Sequence, residues 1–206
     1  MNWQKLAGWA LVVAPVAQIV GWTLMRLGGN EGAEPQTTVA HSVWLVGFVL
    51  LAIACVELYR RVRSPGAGQV LARASLAVAL ISIAASIVEM LVDLYVGAVT
   101  DGRAQEKALF QQIREIPGAE QVLYGFGTQL VYLGLLVLVL QLFVLRRIGL
   151  STLGFFLAAL VLFVAYEALD VPGRQALMPF AVLCMWLALA PLGWRLLRPV
   201  AEPVTA

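Results

Sequence analysis

The sequence predicts an all-α fold, a polytopic transmembrane bundle of six spans. Of the 206 residues, 61% are hydrophobic and only 13% are charged, and the mean hydropathy is +0.87. A soluble domain is about 45–50% apolar and about 25% charged, so lipid is the natural solvent for the excess apolar surface. The apolar residues also fall into six stretches, each long enough to form the helix of about 20 residues that crosses a bilayer.

The predicted spans place the whole chain, residues 1–206, in a single membrane domain. They cover residues 5–26, 38–59, 72–99, 121–145, 150–169 and 175–197. The first span follows a lysine, as the apolar part of a signal peptide does, but it is longer than the roughly 7–15 residues typical of that segment. We therefore treat it as a helix of the mature protein.

The connection over residues 100–120 contains an amphipathic segment, Arg103–Ile116. Helical spacing places Leu109 and Ile113 on one apolar face, and Pro117 ends the segment. This pattern predicts a short amphipathic helix at the outer surface of the bundle, with an ordered solvated loop as the alternative.

The orientation follows from the basic residues in the short connections, which favour the cytoplasmic side. One side carries nine of them: Lys5, Arg60, Arg61, Arg63, Arg73, Arg146, Arg147, Arg195 and Arg198. The other side carries five: Arg26, Arg103, Lys107, Arg114 and Arg174. Both termini are therefore expected in the cytoplasm, which agrees with an even number of crossings.

The third span contains two carboxylates, Glu89 and Asp93, one helical turn apart. A charged side chain at the bilayer centre costs roughly 2.5–3.5 kcal/mol on insertion scales, so such residues usually face the interior of the bundle. Ser82 and Ser86 continue the same helical face. These carboxylates are the strongest candidates for a functional site.

Polar side chains of the other spans fall at the same outer depth and predict a polar cavity there. Its expected lining is Gln18, Trp22, Arg26, His41, Glu89, Asp93, Gln129, Tyr132, Tyr166, Glu167 and Asp170. Arg26 or Arg174 is expected to neutralise one carboxylate. The alternative is a structural polar seam between helices, and for the single histidine, His41, a structural role is favoured.

Glu57 differs from the other intramembrane carboxylates, since it lies at the cytoplasmic end of the second span. Arg60 and Arg61 follow it at helical spacing. The pattern predicts a surface ion pair in which the arginine extends towards water.

Several kinds of chemistry lack the residues they need. There is no phosphate-binding glycine loop, and a single histidine excludes HExxH zinc sites and bis-histidine haem ligation. Cys55 and Cys184 lie in apolar spans without a CxxC spacing, and the net charge of +2 does not predict a nucleic-acid partner. We expect no cofactor and no dedicated metal site, although carboxylates at Glu89, Asp93 and Glu167 leave a hard cation as an alternative.

Four segments carry a resemblance to known proteins: KLAGWALVVAPVAQIVGW, AHSVWLVGFVLLAI, SIVEMLVDLY and GFGTQLVYLGLLVL. With them the chain resembles a broad bacterial family of six-span integral membrane proteins of unknown function. The resemblance implies the fold, the six spans and a multi-pass location in the bacterial plasma (inner) membrane. It implies no activity and no functional residues.

The sequence supports more than one function. The leading hypothesis is a cavity that binds a small amphiphilic ligand, a lipid or a cation through Glu89, Asp93 and Glu167. In the enzyme alternative, a neutral Glu89 acts as a general acid, Asp93 or Glu167 acts as a base, and the membrane-embedded cyclase or isomerase takes an isoprenoid-like substrate. A small transporter, which with six short spans would require a homo-oligomer, and a structural membrane subunit remain further alternatives.

Overall fold

The computed structural model describes residues 2–27, 36–62, 66–169 and 173–198, and the regular structure in these ranges is entirely helical. Seven α-helices follow one another: α1 Trp3–Leu27, α2 Gln36–Val62, α3 Ala67–Val99, α4 Arg103–Arg114, α5 Phe126–Val144, α6 Leu150–Ala168 and α7 Leu177–Leu197. A π-helical turn, Glu120–Tyr124, precedes α5, and a 3₁₀ turn, Arg174–Ala176, precedes α7. The predicted all-α class is confirmed.

Five helices in the described ranges are long and apolar enough to cross a membrane. They are α1, α2, α3, α6 and the segment Arg174–Leu197, which consists of the 3₁₀ turn and α7. The apolar part of α5, Gln129–Val144, is shorter than a full crossing. The chain is thus a multi-pass membrane protein by length and composition, with five membrane-length helices against the six predicted.

The long helices form a closed ring in which neighbours run antiparallel. α1 packs against α2 and α7, α2 against α3, and α3 against α5, while α6 packs on α7 and closes the ring more loosely against α5. The Trp3 indole donates a hydrogen bond to Glu57, and the Trp44 indole donates one to the Gln18 carbonyl, so α1 and α2 run in opposite directions. α1 begins beside the end of α7: Gly8 is so near the Leu197 side chain that a Cβ on Gly8 would lie 2.9 Å from it.

Two helix contacts are so close that only glycine fits. A Cβ on Gly134 of α5 would lie 2.6 Å from the Ser75 carbonyl oxygen of α3, and one on Gly193 of α7 would lie 2.5 Å from the Gly8 carbonyl oxygen of α1. Small residues allow close backbone approach, which matters in lipid because the hydrophobic effect does not drive one helix onto another. These contacts bring α5 close to α3 and α7 close to α1.

The two halves of the bundle differ in how they are filled. The half that contains the start of α1 and the end of α7 is packed with apolar side chains such as Leu58, Leu138 and Leu189, each fully buried. Large apolar side chains also cover the outside, for example Val161 and Val164 of α6, as expected where lipid is the solvent. The polar residues predicted to be functional belong to the opposite half.

At the packed end, the ion pair predicted for Glu57 is present, but its carboxylate is not on the surface. Arg61 Nε lies 2.9 Å from Glu57 Oε1, and the Trp3 indole donates to Glu57 Oε2 at 2.9 Å. The guanidinium of Arg60 stacks over the Trp3 ring, 5.2 Å from its centroid. Glu57 is 7% exposed because Trp3 covers it, a contact that the spacing within α2 does not reveal.

The connection over residues 100–120 contains the predicted short helix as α4, none of whose residues is fully buried. α4 ends before Gly118, which has a left-handed φ of 87°. Arg114 at its last turn stacks over Tyr124, 4.9 Å from the ring centroid, and its Nε lies 3.4 Å from Glu120 Oε2. These two contacts tie α4 to the π-helical turn.

Candidate functional site

A cavity of about 270 Å³ lies in the half of the bundle away from the start of α1 and the end of α7. All six long helices contribute to its wall: Ala14, Pro15, Gln18 and Trp22 of α1; Trp44, Phe48 and Leu51 of α2; Ser86, Glu89 and Met90 of α3; Gln129, Val131, Tyr132 and Leu135 of α5; Phe163 of α6; and Met178, Val182 and Met185 of α7, with Tyr124 of the π-helical turn. A concave, mainly apolar wall with a few polar groups is the usual form of a small-molecule site.

Glu89 supplies the carboxylate of this cavity. It is partly buried, and no residue in the described ranges forms a hydrogen bond or an ion pair with it. The charges of Asp93 and His41 lie close enough to act on it electrostatically. A partly buried carboxylate on a cavity wall, without a protein partner, is available to a group that enters the cavity.

Two hydrogen-bond donors in the cavity wall are also without acceptors. Gln18 Nε2 and Trp22 Nε1 are both buried and have no partner in the structure. They lie one turn apart on α1. A buried donor without a partner costs about 1–3 kcal/mol, so an acceptor that enters the cavity would relieve that cost.

Asp93 is not among the residues that line the cavity, and it is already paired. Its Oδ2 lies 3.1 Å from Nε2 of His41, with the two side chains 13% and 8% exposed. The Tyr124 hydroxyl donates a long hydrogen bond, 3.5 Å, to the other carboxylate oxygen. The second ring nitrogen of His41 lies 2.8 Å from the Thr37 carbonyl oxygen. Both sides of the imidazole are therefore held, which fixes its orientation.

Trp44 connects this pair to the cavity. Its ring meets His41 edge-on with centroids 5.6 Å apart, and its indole N–H donates to the Gln18 carbonyl at 3.0 Å. Gly21 makes room for the indole, because a Cβ there would lie 2.6 Å from the Trp44 ring. The ring is thus fixed between α1 and α2, and it forms part of the cavity wall.

The start of α5 is irregular, and the irregularity places Tyr124 at the cavity. The π-helical turn approaches α5 so closely that a Cβ on Gly127 would collide with the Val122 carbonyl oxygen. One turn into α5, the Val131 N–H donates to Ser82 Oγ of α3 at 2.8 Å. π-helical turns in long helices often occur at functional sites, where they redirect a side chain.

Arg26 and Tyr166 lie outside the cavity lining, on the same side of the bundle. Arg26 stacks over Trp22, 5.5 Å from the ring centroid, and donates to the Tyr166 hydroxyl at 3.4 Å. That hydroxyl donates in turn to Gln175 at 3.4 Å. The contacts join α1, α6 and the 3₁₀ turn before α7.

The residues predicted for the site, Asp170 apart, therefore fall into four groups. Gln18, Trp22, Glu89, Gln129 and Tyr132 line the cavity. His41 and Asp93 pair behind it, Arg26 and Tyr166 pair beside it, and Glu167 is exposed and outside the lining. Asp170 lies outside the described residues. Neither Arg26 nor Arg174 forms an ion pair with Glu89 or Asp93 in the described part of the chain, so the expected neutralising base is replaced by His41 at Asp93.

Sequence reasoning missed several lining residues and the pairing of the histidine. Phe48, Phe163, Met178 and Met185 carry no signal beyond hydrophobicity, so a sequence pattern cannot separate them from packing residues. The His41–Asp93 pair had a usable signal, since both residues fall at the same outer depth of consecutive, antiparallel spans. No group of three or more histidine, cysteine or acidic side chains that could hold a metal ion occurs among the described residues.

The membrane-length helices and the cavity between them define the class of this chain, a multi-pass helical membrane protein with a cavity in one half of its bundle. The chain matches no protein-family model, and comparisons with curated proteins and with solved structures gave no match. The resemblance to a bacterial six-span family stays a prediction, and the cavity is the feature that bears on function.

Proposed function

We propose that this protein binds a small amphiphilic molecule in the cavity between its helices, with Glu89 as the polar anchor. The observation that supports it most is the combination of an unpaired carboxylate and two unpaired donors on the wall of one cavity. The volume, about 270 Å³, lies just below the roughly 300–1,000 Å³ of ordinary ligand sites, which favours a small ligand. The aromatic and methionine side chains of the wall suit its apolar part.

The proposal includes six crossings, with α5 as the sixth, and both termini in the cytoplasm of a bacterial cell. The basic residues of the described ranges support this orientation: Lys5, Arg60, Arg61, Arg73, Arg146, Arg147, Arg195 and Arg198 belong to the end opposite the cavity. The cavity would then lie in the outer half of the membrane. A ligand would reach it from the outer leaflet or from the water outside.

Cysteine labelling tests this topology. In a variant with Cys55 and Cys184 replaced by alanine, Gln112→Cys on α4 is expected to react with a membrane-impermeant maleimide added to whole cells. Ser151→Cys at the start of α6 is expected to react only after the membrane is opened, because it lies at the other end of the bundle. Both positions are exposed. The reverse pattern would invert the orientation and place the cavity on the cytoplasmic side.

Ligand binding is tested with three molecules of the same shape and different charge: choline, 3,3-dimethylbutan-1-ol and 3,3-dimethylbutanoate. At least one is expected to raise the melting temperature of the purified protein in a non-ionic maltoside detergent, because binding to the folded state at 100 times Kd stabilises it by about 2.7 kcal/mol. Val182→Phe, at a buried position in the cavity wall, should abolish the shift by filling the space.

Val164→Phe is the matched control, since it makes the same substitution at an exposed position of α6 outside the cavity. The control should bind as the unmodified protein does. If none of the three molecules shifts the melting temperature, or if Val182→Phe responds as Val164→Phe does, the proposed function is wrong.

The enzyme alternative has weaker support. An acid–base mechanism needs a second proton-handling group at the substrate. Glu89 is the only carboxylate of the described ranges that lines the cavity, and the other proton-bearing groups there that could serve are the weakly acidic hydroxyls of Tyr124 and Tyr132. Asp93 is engaged by His41 and Tyr124, and Glu167 lies outside the lining. A binding function requires only the groups that are present at the wall.

A further inference from the structure

We infer that the ligand of this cavity carries a positive charge, as a quaternary or protonated amine, and that Glu89 is its counter-ion. The inference rests on the proposed function and specifies the chemical class of the molecule bound. Four observations support it. The charged side chain of the wall is negative, it has no protein partner in the described residues, aromatic rings line the same cavity, and two unpaired hydrogen-bond donors lie on the same wall.

The charge of the wall has one sign. Glu89 is the charged side chain that lines the cavity, and no lysine or arginine in the described ranges does so. A like-charged ligand would meet repulsion in a medium of low dielectric constant, where electrostatic interactions are stronger than in water. An anionic ligand is thus disfavoured by the wall itself.

The two neighbouring carboxylates are in different situations. Asp93 has a histidine at 3.1 Å and a tyrosine hydroxyl at 3.5 Å, whereas Glu89 has no such partner in the described part of the chain. Buried charges in proteins are usually paired or neutralised. Because His41 pairs with Asp93, Glu89 has no cation in direct contact within the described part of the chain, and a ligand cation would occupy that position.

Aromatic rings form much of the wall of the cavity that Glu89 lines. Trp22, Trp44, Tyr124, Tyr132 and Phe163 come from five different elements. Trp22 and Tyr124 each have an arginine over one face, whereas Tyr132 and Phe163 pack on each other with centroids 4.8 Å apart. The faces of such rings attract cations, and aromatic cages are a recurrent means of holding quaternary ammonium groups. Trp44 and Tyr124 are further held in place by hydrogen bonds to the Gln18 carbonyl and to Asp93.

The unpaired donors suggest a second polar group on the ligand. Gln18 Nε2 and Trp22 Nε1 lie on α1, across the ring of helices from α5 and beside the aromatic wall. Each is a donor without an acceptor, so each fits a hydroxyl, ether or carbonyl oxygen. A cation with an oxygen-bearing substituent would satisfy both kinds of unpaired group at once.

The three isosteric molecules separate this inference from the proposed function. Choline is expected to bind about tenfold or more tightly than 3,3-dimethylbutan-1-ol, which has the same shape without the charge, and 3,3-dimethylbutanoate is expected to bind most weakly. Isothermal titration in maltoside detergent gives the three dissociation constants. If the neutral molecule or the anion binds as tightly as choline, the inference is overturned while the proposed cavity function stands.

Two variants assign the selectivity to Glu89. Glu89→Gln keeps the size of the side chain and removes the charge, so the preference for choline over the alcohol should fall to less than threefold, while binding of the alcohol itself stays within about threefold. Glu89→Asp retains the charge and should retain the preference. Glu115→Gln is the control, because it removes a carboxylate from an exposed position after α4. An unchanged preference in Glu89→Gln would show that another group selects the cation, and would overturn the assignment.

Discussion

Replacing Asp93 by alanine is expected to lower the free energy of unfolding by about 1.5–3 kcal/mol, the range for a hydrogen bond to a charged group. The substitution removes the group that lies 3.1 Å from His41 Nε2 and leaves the Tyr124 hydroxyl without its acceptor. Both lie in a region that water reaches poorly, since the side chains of the pair are 8% and 13% exposed. Reversible denaturation in mixed micelles gives the change.

A double-mutant cycle then separates the pair from its surroundings. His41→Ala, Asp93→Ala and the double variant should be non-additive, with a coupling energy of at least about 1 kcal/mol, because each single substitution removes the same interaction. Ser42→Ala is the matched control, since Ser42 is exposed and its hydroxyl donates only to the Thr38 carbonyl of the preceding turn. Additive single changes would mean that His41 and Asp93 do not interact in the folded protein.

This pair also shows where the sequence was informative. Hydropathy alone predicted an all-α membrane bundle, because apolar runs of about 20 residues are long enough to cross a bilayer as helices, which satisfy their own backbone hydrogen bonds. Helical spacing placed Glu89 and Asp93 on one face of α3. It did not separate their roles, because the partner of each residue depends on which helices are adjacent in the ring and on how they are rotated. Those quantities come from packing, and the sequence pattern of a single span contains little information about them.

The start of α5 is a second feature that depends on packing and that the sequence pattern did not predict. A continuous apolar span was predicted over residues 121–145, whereas the chain forms a π-helical turn, Glu120–Tyr124, and then a new helix from Phe126. Gly125 and Gly127 were a usable signal, since glycines near a helix start allow the backbone approach found there. Tyr124 then contacts Arg114 of α4 and Asp93 of α3, and the second of these lies 31 residues away in sequence.

Gly134→Ala is expected to destabilise the protein by about 1–3 kcal/mol, the usual cost of adding a methyl group to a well-packed contact. The new Cβ would lie 2.6 Å from the Ser75 carbonyl oxygen and 2.9 Å from the Ala79 nitrogen, so α3 and α5 would have to move apart. Backbone atoms cannot rotate away as the end of a long side chain can. The separation would also lengthen the hydrogen bond from the Val131 N–H to Ser82, one turn nearer the cavity.

Gly154→Ala is the matched control for this substitution. Gly154 lies in α6, and a Cβ there would meet nothing within 4 Å. Alanine should therefore be neutral or stabilising by up to about 1 kcal/mol, the difference in helix propensity between the two residues. Melting temperatures of the two variants in the same detergent make the comparison. Because Ser86 and Leu135 line the cavity close to this crossing, Gly134→Ala should also weaken choline binding, whereas Gly154→Ala should not. Equal stability of the two variants would mean that α3 and α5 are not in backbone contact, and the cavity wall that they form would have to be redrawn.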